Sequence, residues 1–198
     1  MRISVITAPK LETLGSLDCT STFEIGTTVF QELHFDSLTT VVRTVKVFAI
    51  DDGDLSLDMI INFMRCFPCL EKLYIKSFGP SFGAGSKNLW CHKLLDPVEC
   101  LDLHLKKVVL SGYDGYESHI DFITFFVLNG RVLELMMLEF LLEPNRNEKW
   151  IKRQKTCLKL ENKVSRDAQF NFTCAPYRKY FGSTSRAHEM LKADPFCT

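Results

Sequence analysis

The side chains best equipped for chemistry in this 198-residue chain are its eight cysteines and five histidines. Cys66-Phe-Pro-Cys69, with Cys91-His92 and Cys100 downstream, comes nearest to a zinc-ligand spacing, because two thiolates two residues apart can share one tetrahedral ion. A zinc ribbon needs a second Cys-x-x-Cys pair, and the sequence has none near it. Reduced, buried cysteine packed where a helix runs into a strand is the better account. The histidines lie in neither a His-Glu-x-x-His nor a Gly-x-Ser-x-Gly setting. Gly83-Ala-Gly-Ser-Lys87 lacks the spacing that aims backbone amides at phosphate, and Asp51-Asp-Gly-Asp54 lacks the alternating carboxylates and terminal Glu of a calcium loop. Both read as turns. The expectation is no catalytic residue, no metal and no cofactor. A zinc site, which would make folding chelator-sensitive, and an enzyme, which would need a deep pocket with perturbed titratable groups, are the competing readings.

What remains is recognition by charge and shape. Lys plus Arg and Asp plus Glu both total 24, so no global field draws the protein to nucleic acid or to an anionic membrane. Local patches are another matter. Lys46, Lys72, Lys76 and Lys107, around Tyr74, could form a basic strip with an aromatic anchor for an acidic peptide or protein segment, with Glu134 and Met136 at its far side. The bland account is that these lysines solvate an exposed sheet face and discourage edge pairing.

That strip depends on strands that place the lysines side by side. Leu11-Glu-Thr-Leu14, Val42-Arg-Thr-Val45-Lys-Val47, Leu70-Glu-Lys-Leu73-Tyr-Ile75, Leu105-Lys-Lys-Val108-Val-Leu110 and Val132-Leu-Glu-Leu135-Met-Met137 share an aliphatic-x-x-aliphatic pattern at intervals of 27 to 35 residues. Each is a short strand whose alternate side chains enter a core, and stacking in parallel buries them if crossover segments cover the back. In this register Thr44, Lys46 and Phe48, then Lys72, Tyr74 and Lys76, then Lys107, Val109 and Ser111, then Glu134 and Met136 face the open side. Lys72 and Lys107 become neighbours, with strands roughly 4.8 Å apart.

The crossovers are visible too. Leu57, Ile60, Ile61, Met64 and Phe67 form one helical face before Pro68. Ser118-His-Ile-Asp121 has capping-box spacing ahead of Ile120, Ile123 and Val127, with Asn129-Gly130 as the exit. Val29, Phe30 and Leu33 suggest another helix. Arg146 to Arg166 holds eight basic and two acidic residues, with Trp150, Ile151, Gln154, Cys157 and Leu158 at helical spacing. It is expected to be a basic amphipathic helix that caps the open end of the stack, solvated and without a nucleic-acid or lipid role. The fold class is therefore α/β: a leucine-rich-repeat-like solenoid of parallel strands backed by helices, with a C-terminal capping helix.

The N-terminus meets a proline and charges within ten residues and has no signal-peptide core. The apolar stretch from Ile120 to Leu142 is interrupted by Asn129-Gly130-Arg131 and carries Glu134 and Glu139, which fits a core segment and not a membrane span. A cytoplasmic or nuclear setting with reduced thiols is expected, in which the sequon Asn171-Phe-Thr173 goes unused.

Ala8-Pro-Lys-Leu-Glu-Thr-Leu14, Cys66-Phe-Pro-Cys-Leu-Glu-Lys-Leu73, and His104-Leu-Lys-Lys-Val-Val-Leu-Ser-Gly-Tyr113 followed by a helix and Val132-Leu-Glu-Leu-Met-Met137 resemble the C-terminal leucine-rich and FBD regions of plant F-box proteins. The resemblance covers roughly residues 5 to 170 and is most specific from His104 to Met137. It implies a leucine-rich-repeat-like region over 1–100, an FBD-like region continuing the solenoid over 101–172, and a loosely ordered tail over 173–198. In that family an F-box helical module docks on the adaptor of a cullin ubiquitin ligase while the repeats hold the substrate. No F-box motif precedes the repeats here, so adaptor and cullin docking is not carried over. The resemblance leaves a piece of a longer F-box protein, or a stand-alone repeat protein that binds the same target, as the two forms this chain could take.

Overall fold

The computed structural model describes residues 2–5, 10–18, 22–25, 28–30, 41–51, 56–77, 97–141, 143 and 146–175. Their strands are β1 (Arg2–Val5), β2 (Thr13–Asp18), β3 (Thr22–Ile25), β4 (Thr28–Phe30), β5 (Val47–Asp51), β6 (Lys72–Lys76), β7 (Lys107–Ser111), β8 (Leu135–Leu141) and β9 (Gln169–Ala175). The helices are α1 (Leu57–Cys66), α2 (Glu99–Leu103), α3 (Glu117–Asn129) and α4 (Glu148–Cys157), with a 3-10 turn at Leu160–Asn162. Six strands form one all-parallel sheet in the order β2-β5-β6-β7-β8-β9. A separate small sheet pairs β1 parallel to β3 and β3 antiparallel to β4. The expected α/β architecture of parallel strands and helices is present.

Each helix forms for local reasons and is held by burial. Ser56 caps α1 by accepting the Met59 N–H at 3.4 Å, and Phe67 ends it just before Pro68. Leu57, Ile60, Ile61 and Met64 are buried as the periodicity anticipates. The capping box expected at Ser118-x-x-Asp121 does not form. Helix α3 already begins at Glu117, with no side-chain hydrogen bond at its Tyr116 cap, so Ser118 lies inside the first turn. Helix α4 is capped by Asn147, whose Oδ1 accepts the N–H groups of Lys149 and Trp150 at 3.0 and 3.2 Å.

Two other expectations are corrected. Val29 and Phe30 belong to strand β4 and not to a helix; Leu33 lies outside the described residues. The basic helix is no terminal cap, because strand β9 follows it and pairs with β8 along its whole length. Helix α4 is thus the crossover between two strands. Its inward side buries Gln154 and brings Trp150 against the core. Strand β9 also runs three residues past the expected tail boundary, to Ala175.

The register of the sheet decides which side chains reach the core. Leu14, Phe48, Leu73, Val108, Met136 and Phe170 form one cross-strand row, and all belong to or pack against the main hydrophobic core. Ile50, Ile75, Leu110, Leu138 and Phe172 form the next inward row. The residue before each strand adds a ladder of its own: Lys46 N to Glu12 O, Glu71 N to Lys46 O, Lys106 N to Glu71 O and Glu134 N to Lys106 O, all at 2.8 to 2.9 Å. Charge alternates along this ladder, and Lys46–Glu12 and Lys106–Glu134 form ion pairs at 3.6 and 3.2 Å. Exposed pairs of this kind add about 0.2–1 kcal/mol each and favour the correct neighbour order.

Candidate functional site

The face of the sheet turned away from the core carries the residues on which the sequence places recognition. Its first row, from the strand starts, is Val47, Lys72, Lys107, Leu135 and Gln169; its second is Ala49, Tyr74, Val109, Met137 and Asn171; its third is Asp51, Lys76, Ser111, Glu139 and Thr173. Ala49, Tyr74 and Val109 pack together as a small buried cluster, with Val47 and Met137 against it. The strand pattern explains this strip. Alternate positions must face away from the core, and here several of them are apolar where a merely solvated face would be polar.

Lys72 and Lys107 are register neighbours as expected. Lys107 Nζ stands 5.5 Å from the Tyr74 ring centroid, close enough for a cation–π attraction. Tyr74 is 7% exposed, so it supports the face from below more than it projects. Of the other four expected residues, Lys76 shares this face in its third row, and Lys46, Glu134 and Met136 do not lie on it. Lys46 sits one residue before β5 and pairs with Glu12. Lys76 is buried, with Nζ 3.9 Å from the Asp51 carboxylate. Glu134 precedes β8 and pairs with Lys106. Met136 points into the core with no exposure, as does Phe48.

The last two are errors of register. Placing Val42 and Val132 at the head of their repeats puts Phe48 and Met136 outward, whereas the real heads are Val45 and Leu133, both buried. A shift by an odd number of residues sends every side chain of a strand to the opposite face. Val47, Ala49, Leu135 and Met137 were missed for the same reason. The signal that could have found them is Phe48-Ala-Ile50, which aligns with Leu73-Tyr-Ile75 once the large aromatic is taken as a core residue.

A second polar cluster lies past the C-terminal ends of β7 and β8. Ser111 Oγ donates to Glu139 Oε2 at 2.6 Å, and Tyr113 Oη donates to Gln154 Oε1 at 2.8 Å within the core. Arg146 bridges Asp114 at 2.7 Å and Glu143 at 3.3 Å, and its guanidinium lies 5.8 Å from the Trp150 ring. Burial, more than the attraction of Arg146 can offset, raises the Asp114 pKa. The His119 Nδ1 accepts the Asp114 N–H at 2.9 Å, and burial, reinforced by Arg146, lowers the imidazole to about 4. These bonds are satisfied within the fold and hold the loop over 112–117 onto helix α4.

Among the described residues, the cysteines are free thiols. Burial pushes the Cys66 and Cys100 thiols up to about 12, and the Cys100 thiol donates to the Met64 carbonyl at 3.8 Å. A thiol held protonated is a poor metal ligand and nucleophile. Among the described residues no group of three or more His, Cys, Asp or Glu could hold a metal ion. Cys91, His92, Asp52 to Asp54 and the stretch Gly79 to Lys87 lie outside the described residues. No helix among the described residues is long and apolar enough to cross a membrane.

Parallel strands joined by helical crossovers, with an aliphatic repeat, form an α/β architecture consistent with a leucine-rich-repeat-like class. Comparison with known families narrows this. Residues 1–75 match the family model described as "FBD-associated F-box protein At5g56370, LRR repeats", and residues 93–138 match the FBD family model. Over those spans the chain is similar to the leucine-rich repeats of FBD-associated F-box proteins and then to an FBD. Neither match is to an F-box. No curated protein and no solved structure gives a significant match. The two families point to a role in protein interaction.

Proposed function

We propose that the chain is a non-catalytic interaction module, a leucine-rich solenoid of the type that forms the substrate-recognition part of an F-box ubiquitin-ligase subunit, and that its partner lies on the open face of the sheet. The observation that carries this reading is the pair Lys72 and Lys107, held in register on adjacent strands, with the partly exposed Val47 and Met137 on the same face and the buried Ala49, Tyr74 and Val109 supporting them from below. Two positive charges held on adjacent strands attract an acidic group that arrives between them. Val47 and Met137, the partly exposed apolar residues of this face, add non-directional attraction, so the partner is a protein segment with an acidic side chain next to apolar ones. A cytoplasmic or nuclear setting fits thiols that the fold keeps buried and protonated.

The test uses the full tagged chain in plant cells. Proteins captured by the wild type are compared quantitatively with those captured by the Lys72→Glu/Lys107→Glu variant. The expected outcome is a specific partner whose capture falls at least tenfold in the variant and weakens with added salt, tenfold corresponding to about 1.4 kcal/mol. An unchanged set of partners would overturn the reading.

A further inference from the structure

Strand β9 is the terminal strand of the six-stranded sheet, and among the described residues its outer edge pairs with nothing. Edge strands in soluble proteins are normally guarded by lysine, proline, charge or a bulge. Gln169-Phe-Asn-Phe-Thr-Cys-Ala175 contains no charged residue and no proline, and it stays in unbroken register with β8. The Gln169 N–H bonds inward to the Glu134 carbonyl at 2.9 Å. In a parallel ladder the alternate residues then turn their N–H groups outward, which here are Phe170, Phe172 and Cys174.

Helix α4 lies beside this edge and gives it a sign. Its Trp150 reaches back toward the interior, 5.2 Å from Phe140 and 6.0 Å from Tyr113 between ring centroids. On the other flank Lys155 Nζ lies 5.9 Å from the Phe172 ring of the terminal strand. Lys152, three residues before Lys155 on the same helix, shares that flank, and both are exposed. The segment from Arg146 to Arg166 holds eight basic residues against two acidic, while the whole chain holds 24 of each. The rest of the molecule is therefore net acidic, and positive charge is concentrated where the sheet ends.

We propose that the outer edge of β9 receives an extended acidic segment of another protein, which adds to the sheet as a further strand and lays its carboxylates along Lys152 and Lys155. Backbone pairing supplies affinity and the lysines supply selection. Charge disfavours the other occupants. A second copy would bring two basic helices together, and residues 176–198, with Arg178, Lys179, Arg186 and Lys192 against Glu189 and Asp194, are themselves basic.

The experiment measures binding of a labelled ten-residue peptide alternating glutamate with valine to the full chain, by fluorescence anisotropy at low and moderate salt. Saturable, salt-sensitive binding is expected, weakened at least tenfold by Lys152→Glu/Lys155→Glu and abolished by Cys174→Pro, which removes one outward N–H from an exposed position. Lys72→Glu/Lys107→Glu should leave it unchanged, so failure here is separable from failure of the open-face reading. Absence of binding to the wild type, equal binding of a lysine-valine peptide, or indifference to Cys174→Pro in a variant that unfolds normally would overturn the proposal. So would a single-stranded oligonucleotide that displaces the peptide from wild type and Cys174→Pro alike, or a dimer that Cys174→Pro dissolves.

Discussion

His119 is 1% exposed and uncharged in the fold, with its Nδ1 engaged by the Asp114 N–H and Arg146 close by. The unfolded chain takes up a proton near the ordinary histidine value of 6.5, the folded protein only near 4. Between those values the unfolded state binds more protons, so stability is full above pH 6.5 and declines as the pH falls toward 4, by about 3 kcal/mol over the whole window. Asp114 works the other way at the acid end, because a carboxyl with a raised pKa gains a proton more readily when folded. The two contributions oppose one another, and a comparison with His119→Gln, which keeps Asp114, isolates the histidine over pH 6.5 to 5. Urea midpoints should drop across that range for the wild type and stay nearly level for His119→Gln, whose amide oxygen keeps the acceptor without titrating; equal slopes would remove His119 from the acid response. Nearby, Gly112 has φ of 92° and its Cα faces the Ser77 carbonyl so closely that a Cβ would overlap it. Gly112→Ala should cost more than about 2 kcal/mol, since left-handed backbone and a backbone clash add. An unfolding midpoint within error of wild type would contradict that contact.

At the scale of strands and helices, the sequence disclosed what periodicity and punctuation can disclose. Leu57 to Phe67 with Pro68 gave helix α1, and Leu70-x-x-Leu73-x-Ile75 and Leu105-x-x-Val108-x-Leu110 gave β6 and β7 in their true register, hence the adjacency of Lys72 and Lys107. It failed where several aliphatics compete for one role. Val42, Val45 and Val47 satisfy the pattern as well as Val45, Phe48 and Ile50 do, and only packing against α1 decides between them: Phe48 lies 4.8 Å from Phe63 and 5.2 Å from Phe67 between ring centroids. Strand β9 was hidden for a related reason, since Phe170 and Phe172 form a pattern too short to distinguish a strand from a loop. The corrected register is directly testable. Phe48→Ala should cost about 3–5 kcal/mol, whereas Val47→Ala, on the opposite face and half buried, should cost about 1 kcal/mol or less. Denaturant unfolding that ranked the two in reverse would restore the register in which Phe48 faces outward.

Across the whole sheet, strands follow one another in sequence order and each pairs only with its neighbours, so cohesion is passed from one unit to the next. At the β9 end, among the described residues, the strand is supported by β8 on one side alone and by helix α4 above it. Trp150 joins these parts, with ring centroids 5.2 Å from Phe140 on β8, 6.0 Å from Tyr113 and 6.5 Å from Phe172 on β9. Removing the indole leaves α4 with few apolar contacts, since its remaining inward groups are Ile151, Gln154 and the Leu158 that follows it. Local opening free energies then diverge along the sheet: the end falls while the middle, packed on α1 and α3, does not. Hydrogen exchange on Trp150→Ala should accordingly show the inward-bonded amides of Gln169, Asn171, Thr173 and Ala175 exchanging at least tenfold faster, with those of Val47–Asp51 and Lys72–Lys76 nearly unchanged. Uniform acceleration of all the strands would mean that the sheet opens as a single cooperative unit, and that the edge proposed to receive a partner strand is as rigid as the centre.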